Sequence, residues 1–265
     1  MIRALFKLLL KTTRSRGLNR LDRPLRRLAK PPVDRVGDLL MELDPFEGSQ
    51  LDLMAGYVAE TGTLALIRQL LKTGDTYIDV GAHVGLHALT AAKAVGPTGR
   101  VIAIDPQPYC CERLMINAAL NGLSNILVVA AAASNRDGPV TLSNQARTDR
   151  TRLTLTGPGQ ADLVNRFETG AIRLDSLIER HDLTAIRLIK IDVEGYESEV
   201  IAGACGALAI TDNVVLEHLP EASDGVGASI TAALGALGFE LRQIDGAPWT
   251  AGQRLLENNI WAVRR

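Results

Sequence analysis

TYIDVGAHVGLHALTAAK, residues 76–93, is the stretch whose reading decides the fold. Its first five residues are mostly β-branched or apolar, as a strand buried on both faces of a parallel sheet must be. They run through Asp79, Gly81, His83 and Gly85 into a helix expected over 85–95. Gly81 lets the backbone turn tightly and approach a ligand, and Gly85 lets the helix sit close to the strand. Outward from this unit the alternation repeats, with strands expected at 100–104, 125–130, 186–191 and 213–217 and helices at 107–121, 196–204 and 226–237. Such alternation implies right-handed crossovers and a Rossmann-like, mostly parallel, doubly wound α/β sheet. Residues 239–244 and 259–263 read as a C-terminal antiparallel hairpin on its edge.

Upstream, residues 36–75 read as an entry segment on the substrate side. It holds a short helix or hairpin, then a helix over 61–72 with Gly74 as its left-handed cap. Residues 139–174, rich in Thr, Arg and Gly, read as a flap inserted in the ligand-binding domain 76–265. Residues 1–35 form a basic amphipathic arm with eleven Lys or Arg against Asp22 and Asp34, although the whole chain has a net charge of −1. The arm suits a peripheral contact with an anionic membrane through residues 1–30, or simply a helix packed on the body of the protein.

The 265 residues suffice for a sizeable core, and 46% hydrophobic with 22% charged residues excludes a disordered chain. An aromatic content of 4% argues against stacking on nucleic acid bases. Cys110, Cys111 and Cys205 match no zinc spacing and no disulfide framework, which points to a reduced, cytoplasmic compartment, with the arm at the inner membrane face. No apolar run approaches a membrane span.

The ligand is read from what the loop lacks. Asp105 closes the second strand 24 residues beyond Gly81, where a carboxylate can accept both hydroxyls of an adenosine ribose. A dinucleotide loop needs G-x-G-x-x-G to hold a pyrophosphate, but His83 takes the second glycine position and the spacing is G-x-x-x-G. The Lys and Ser/Thr of a nucleoside triphosphate loop are also absent. An adenosine ligand without phosphates fits better, and S-adenosylmethionine is the common one.

These features, in order, resemble the FkbM-type S-adenosylmethionine-dependent methyltransferases across roughly residues 56–220. The resemblance is carried by YIDVGAHVGLHALTAAK (77–93), GRVIAIDPQP (99–108), LMINAALNG (114–122), VVAAAAS (128–134), RLDSLI (173–178), LIKIDVEGYESEVIAGA (188–204) and VVLEH (214–218). It implies a class I methyltransferase fold and O-methylation of a hydroxyl on a sugar, glycolipid or natural product. By the same match Glu60 occupies the family's upstream acidic position and Ala132 the small residue near the adenine. The family commonly has Asn at His83 and Glu at Asp105, so the carboxylate here is one methylene shorter.

The strand at 186–191 delivers Asp192 and Glu194 at its carboxyl end, and the strand at 213–217 delivers Glu217 and His218. Ligands of open α/β sheets sit at those ends. Asp192 or Glu194 could instead cap the helix that follows, and Asp175 in RLDSLI is read as a cap. A hydroxyl is a poor nucleophile until it loses its proton, and His218 is the best base because imidazole titrates near neutrality. Asp192 or Glu217 would orient it. The rival arrangement gathers Mg²⁺ on Asp192, Glu194 and Glu217, and the metal-free one is favoured. His87, one turn past His83, faces either the pocket or the core. The alternatives to a methyltransferase are an NAD-linked oxidoreductase and a non-catalytic adenosine-binding module.

Overall fold

The structure is a computed structural model and describes residues 32–45, 47–144, 153–155, 166–217, 226–250 and 253–265. The basic arm up to residue 31 and His218 lie outside the described residues. The described part opens with a hairpin, β1 (Val33–Val36) and β2 (Leu39–Glu42), whose first strand lies inside the stretch read as the arm. Helices α1 (Gly48–Met54) and α2 (Thr61–Leu70) follow. The alternation then runs β3 (Thr76–Val80), α3 (Leu86–Val95), β4 (Arg100–Asp105), α4 (Pro108–Leu120) and β5 (Ile126–Ala133). Three strands succeed it: β6 (Gly138–Asn144), β7 (Leu153–Leu155) and β8 (Arg166–Ile172). The remainder is α5 (Leu174–Arg180), β9 (Ile186–Ile191), α6 (Glu197–Ala202), α7 (Cys205–Ala209), β10 (Thr211–Glu217), α8 (Val226–Ala236), β11 (Phe239–Arg242) and β12 (Asn259–Arg264).

The main sheet has the order β11-β12-β10-β9-β3-β4-β5-β8-β6-β7. From β10 through β8 the neighbours are parallel, and β12 turns back against β10 to form the antiparallel C-terminal hairpin with β11. This is the class I methyltransferase fold. Residues 139–174, read as a flap, contribute strands that extend the sheet beyond β5. The chain moves outward from β3 to β5 and returns on the other side of β3 as β9. The connections that leave the carboxyl ends of β3 and β9 therefore run in opposite directions at the switch point, where such sheets bind ligands.

Two-residue periodicity divides the side chains between two buried layers. Ile78, Ile102, Ile189 and Val214 pack in one core with Leu177, Val200, Leu208 and Leu234. Tyr77, Val101, Leu188 and Val215 face the other, with Ile67 of α2 and Ala88, Ala91 and Val95 of α3. The hairpin is held by α4, where Asn117 and Asn121 lie one helical turn apart. The amide of Glu42 donates to Asn117 Oδ1 at 2.6 Å, and Asn121 exchanges bonds with the Leu40 backbone in both directions. Asn117 also donates to the Val84 carbonyl at 3.0 Å, tying this layer to the loop after β3.

One local expectation is corrected. The second helix ends at Leu70, and Gly74 (φ +94°) belongs to the following turn instead of capping it. Asp75 accepts from the amide of Lys72 at 2.8 Å, which diverts the backbone before a left-handed cap can form.

Gly81 has φ +83°, and a Cβ there would lie 1.8 Å from the Asp192 carbonyl oxygen. Gly122 has a comparable φ of +67° but open space around it. Thermal denaturation should separate the two causes. Gly122→Ala should cost about 1 kcal/mol, from backbone strain alone. Gly81→Ala should cost on the order of 3 kcal/mol or more, because the ends of β3 and β9 must part.

Candidate active site

The loop after β3 passes through left-handed conformations at Gly81, His83 (φ +49°) and Gly85 (φ +97°). Asn, Asp and His tolerate that region better than other side-chain-bearing residues, which accounts for a histidine at position 83. The amides of Gly81 and Ala82 donate to the Ile104 carbonyl at 2.9 and 3.0 Å. The amide of His83 donates to Asp105 Oδ2 at 2.9 Å. Three successive amides of the loop are thus spent on β4, whereas a phosphate cradle needs such groups free. Gly85 lies against Leu114, whose Cγ would be 2.8 Å from a Cβ there, so its smallness serves the approach of α4.

Asp105 is 5% exposed, and its Oδ1 accepts from the Gln107 amide at 2.8 Å. Burial raises its carboxyl above the ordinary range against the pull of these two amide bonds. Each oxygen retains a second lone pair, so the carboxylate that fastens the loop can also meet ribose hydroxyls. Ala132 sits half-buried at the carboxyl end of β5, next to β4.

On the other side of the loop the register builds a polar row. Asp79 of β3 stands opposite Lys190 of β9, and Glu217 of β10 stands opposite Asn259 of β12. Lys190 Nζ lies 2.7 Å from Asp192 Oδ2 and 3.7 Å from Glu60 Oε2. Asn259 donates to Glu60 Oε1 at 3.0 Å and to Thr63 Oγ1 at 3.2 Å. His87 Nε2 comes within 3.0 Å of Glu60 Oε2 without hydrogen-bond alignment. Burial alone would raise Glu60, but the Lys190 charge and the neighbouring His87 and Asn259 hold its carboxyl well below the ordinary range. Asp79 is 1% exposed, neither of its oxygens has a hydrogen-bond partner, and burial raises it.

Asp192, Glu194 and Glu217 form a second group, with one oxygen from each within 4.8 Å of the others. Glu194 follows β9 in a left-handed turn (φ +55°), which Glu197 fastens by accepting from the amides of Val193 and Gly195. The N-cap residue of α6 is Tyr196, with no side-chain cap bond, so these acids are not spent on capping that helix. Asp175 lies in the first turn of α5 and accepts from the Ala207 amide at 2.9 Å, fastening α7 instead of its own helix. Burial, Asp192 and Glu194 push Glu217 up to about 9. A protonated Glu217 can share its proton with Asp192, and with all three carboxyls ionised the same oxygens could hold a hard divalent cation.

The structure brings Glu60, Asp79, Asp192, Glu194 and Glu217 together on one side of the loop and Asp105 and Ala132 on the other. Sequence reasoning missed Lys190, whose signal was a lone ammonium inside the apolar strand IRLIKI. It also missed Asn259 and Glu257. Glu257 accepts from the amides of Gly62 and Thr63 at 2.7 and 2.9 Å and so caps α2 from 194 residues away. An adenosyl sulfonium carrying an ammonium group fits this donor set: the loop amides are closed to phosphate, while Asp79 and Glu217 keep buried carboxyl oxygens without hydrogen-bond partners.

Residues 79–241 match the family model described as a methyltransferase FkbM domain. The chain is similar to methyltransferase sdnD of Sordaria araneosa, 27% identical over 212 residues, which cover 69% of this chain and 80% of sdnD. It is 24% identical over 159 residues to the hexuronic acid methyltransferase AglP of Haloferax volcanii, covering 60% of this chain and 62% of AglP. It is 31% identical over 159 residues to the 31-O-demethyl-FK506 methyltransferase FkbM of Streptomyces tacrolimicus, covering 50% of this chain and 60% of that one. The chain thus spans less than two thirds of the last two. Among the described residues no helix is long and apolar enough to cross a membrane.

Two outcomes follow from this geometry. Glu257→Ala should lower stability by about 1–2 kcal/mol in chemical denaturation, as loss of a helix cap does. Glu217 is an acid whose folded value lies above its unfolded value near 4.3, so its contribution is complete in acid and is lost as the pH rises toward 9. Glu217→Gln should match the wild type in melting temperature at pH 5 and exceed it increasingly by pH 9; a gap that does not change with pH would contradict the assignment.

Proposed function

The chain belongs to the FkbM methyltransferase family and is an S-adenosylmethionine-dependent methyltransferase; we propose that it methylates a hydroxyl oxygen of a sugar, glycolipid or natural-product acceptor. The observation that carries this reading is the convergence of Asp192, Glu194 and Glu217 at the carboxyl ends of β9 and β10. A thiol ionises far more readily near neutrality, whereas an alcohol needs a group to take its proton during attack. Two of the relatives support the same direction: one is named for a hexuronic acid, the other for an O-demethyl compound.

S-Adenosylmethionine supplies an electrophilic methyl group on a sulfonium centre. The chain supplies position and proton transfer. Asp105 holds the loop against β4 and keeps lone pairs for the ribose, and Glu60 and Asp79 provide the anionic surroundings for the ammonium group. Asp192, salt-bridged to Lys190, is the carboxylate placed to accept the acceptor's proton. His218, next in the chain to Glu217 and outside the described residues, is the other base of this proposal.

Product analysis tests the reading. Labelled methyl groups should appear on oxygen when the enzyme is incubated with hydroxyl-bearing glycans and natural products, and methylation confined to nitrogen, sulfur or carbon would overturn it. Asp192→Asn should lower kcat by about 10²- to 10⁴-fold, the usual loss when a general base is removed. His218→Ala, measured beside it, assigns the proton to the carboxylate if its kcat is unchanged.

A further inference from the structure

We propose that Lys190 is a positioning residue that fixes Glu60, from beneath, as an ionised carboxylate facing the ammonium group of the cofactor. The inference rests on S-adenosylmethionine binding beside Glu60 and is independent of the acceptor. Lys190 is 2% exposed in its side chain, whereas its partners Glu60 and Asp192 are 22% and 25% exposed. The ammonium is thus sealed under the sheet's polar row, while the two carboxylates it pairs with remain open toward the site. A buried ammonium is costly, and an aliphatic residue would suit the strand IRLIKI better. The cost is offset by carboxylates from different elements: Glu60 from the start of α2 and Asp192 from the end of β9 pair with it, and Asp79, opposite it on β3, adds its charge.

Glu60 cannot be placed by its own helix. It stands at the N-cap position of α2 without a side-chain cap bond, since Glu257 caps that helix. Its carboxylate is instead held from outside, with Asn259 on Oε1 and Lys190 and His87 beside Oε2. Asn259 supplies direction but no charge. Lys190 supplies the charge, and without it Asp79, Asp192 and Glu217 would leave Glu60 among other acids in a poorly hydrated site. Carboxyls in such surroundings take up protons, and a protonated Glu60 no longer attracts a cation.

Calorimetric binding of S-adenosylhomocysteine, with no acceptor present, tests the proposal separately from the site of methylation. Glu60→Gln should weaken binding about tenfold or more, the usual scale for a charge-assisted hydrogen bond. Lys190→Met should weaken it comparably at pH 7 and recover affinity as the pH is raised toward 9. The groups facing the ammonium (Asp79, Asp192, Glu60, His87 and Glu217) are common to the variant and the wild type, which should show no such recovery. The double variant Glu60→Gln/Lys190→Met should bind no more than about twofold weaker than Glu60→Gln alone, because Lys190 acts through Glu60. Should Lys190→Met not fold, as a melting scan would reveal, Lys190→Gln, which keeps hydrogen-bond donors but no charge, takes its place in both the single and the double variant with the same expected outcomes. Wild-type affinity in Lys190→Met, or losses that multiply toward 100-fold in the double variant, would overturn the proposal. A wild-type protein that fails to bind S-adenosylhomocysteine would overturn the cofactor reading instead.

Discussion

Where the strand order reverses, the backbone of Gly81 passes so close to the Asp192 carbonyl that only a hydrogen fits on its α-carbon. This approach fixes the distance between the carboxyl ends of β3 and β9, and both halves of the site are built on it. On one side the loop is drawn over β4, where Ile104 and Asp105 consume its amides. On the other, Asp192 is brought to the end of a polar row under α2 and α3. The loop motif is therefore a packing device first. Three of its own amides are committed to β4, and what it offers outward is the remaining lone pairs of the Asp105 carboxyl.

The polar row shows how a parallel sheet can bury charge. Alternation along β3, β9, β10 and β12 sends Asp79, Lys190, Glu217 and Asn259 to the same face as Tyr77, Leu188, Val215 and Trp261. Near the centre of the sheet that face is apolar, and at the carboxyl ends it becomes ionic without any change of layer. Each buried ion costs several kcal/mol unless it is paired, so the groups constrain one another. Lys190 stays protonated because Asp192, Glu60 and Asp79 outweigh its burial, and Glu217 retains its proton because it is buried and because Asp192 and Glu194 crowd it. One fixed cation thus holds Glu60 ionised, and Glu60 and Asp192 are the two of its partners that face outward.

The alternation of elements was legible because buried strands and amphipathic helices carry distinct periods, and the glycine turn because left-handed backbone has few tolerated residues. The acids at the ends of β9 and β10 were legible for a related reason: charged residues directly after apolar strands stand where such sheets bind ligands. Lys190 was present in the same reading but was passed over, since a lysine in a strand is indistinguishable in sequence from one at an exposed edge. The cap of α2 was hidden altogether. Glu257 and Thr63 lie 194 residues apart, and nothing local to either announces the other. Gly74 was misread for the opposite reason: a local signal for a helix end lost to a single side-chain bond from Asp75.

The sequence by itself determined the class of fold, the glycine turn after the first strand of the alternation, the absence of a phosphate motif and the acids at the carboxyl ends of the strands, because these depend on short-range periodicity and on which residues a tight turn accepts. Only the tertiary structure decided what those groups are bonded to. It showed that three of the loop's amides are occupied, that Asp105 fastens the loop through two amide bonds, and that a lysine and an asparagine from distant strands hold Glu60. Protonation and orientation are set by burial and by neighbours within a few ångströms, and such neighbours are assembled by folding from segments that lie far apart along the chain.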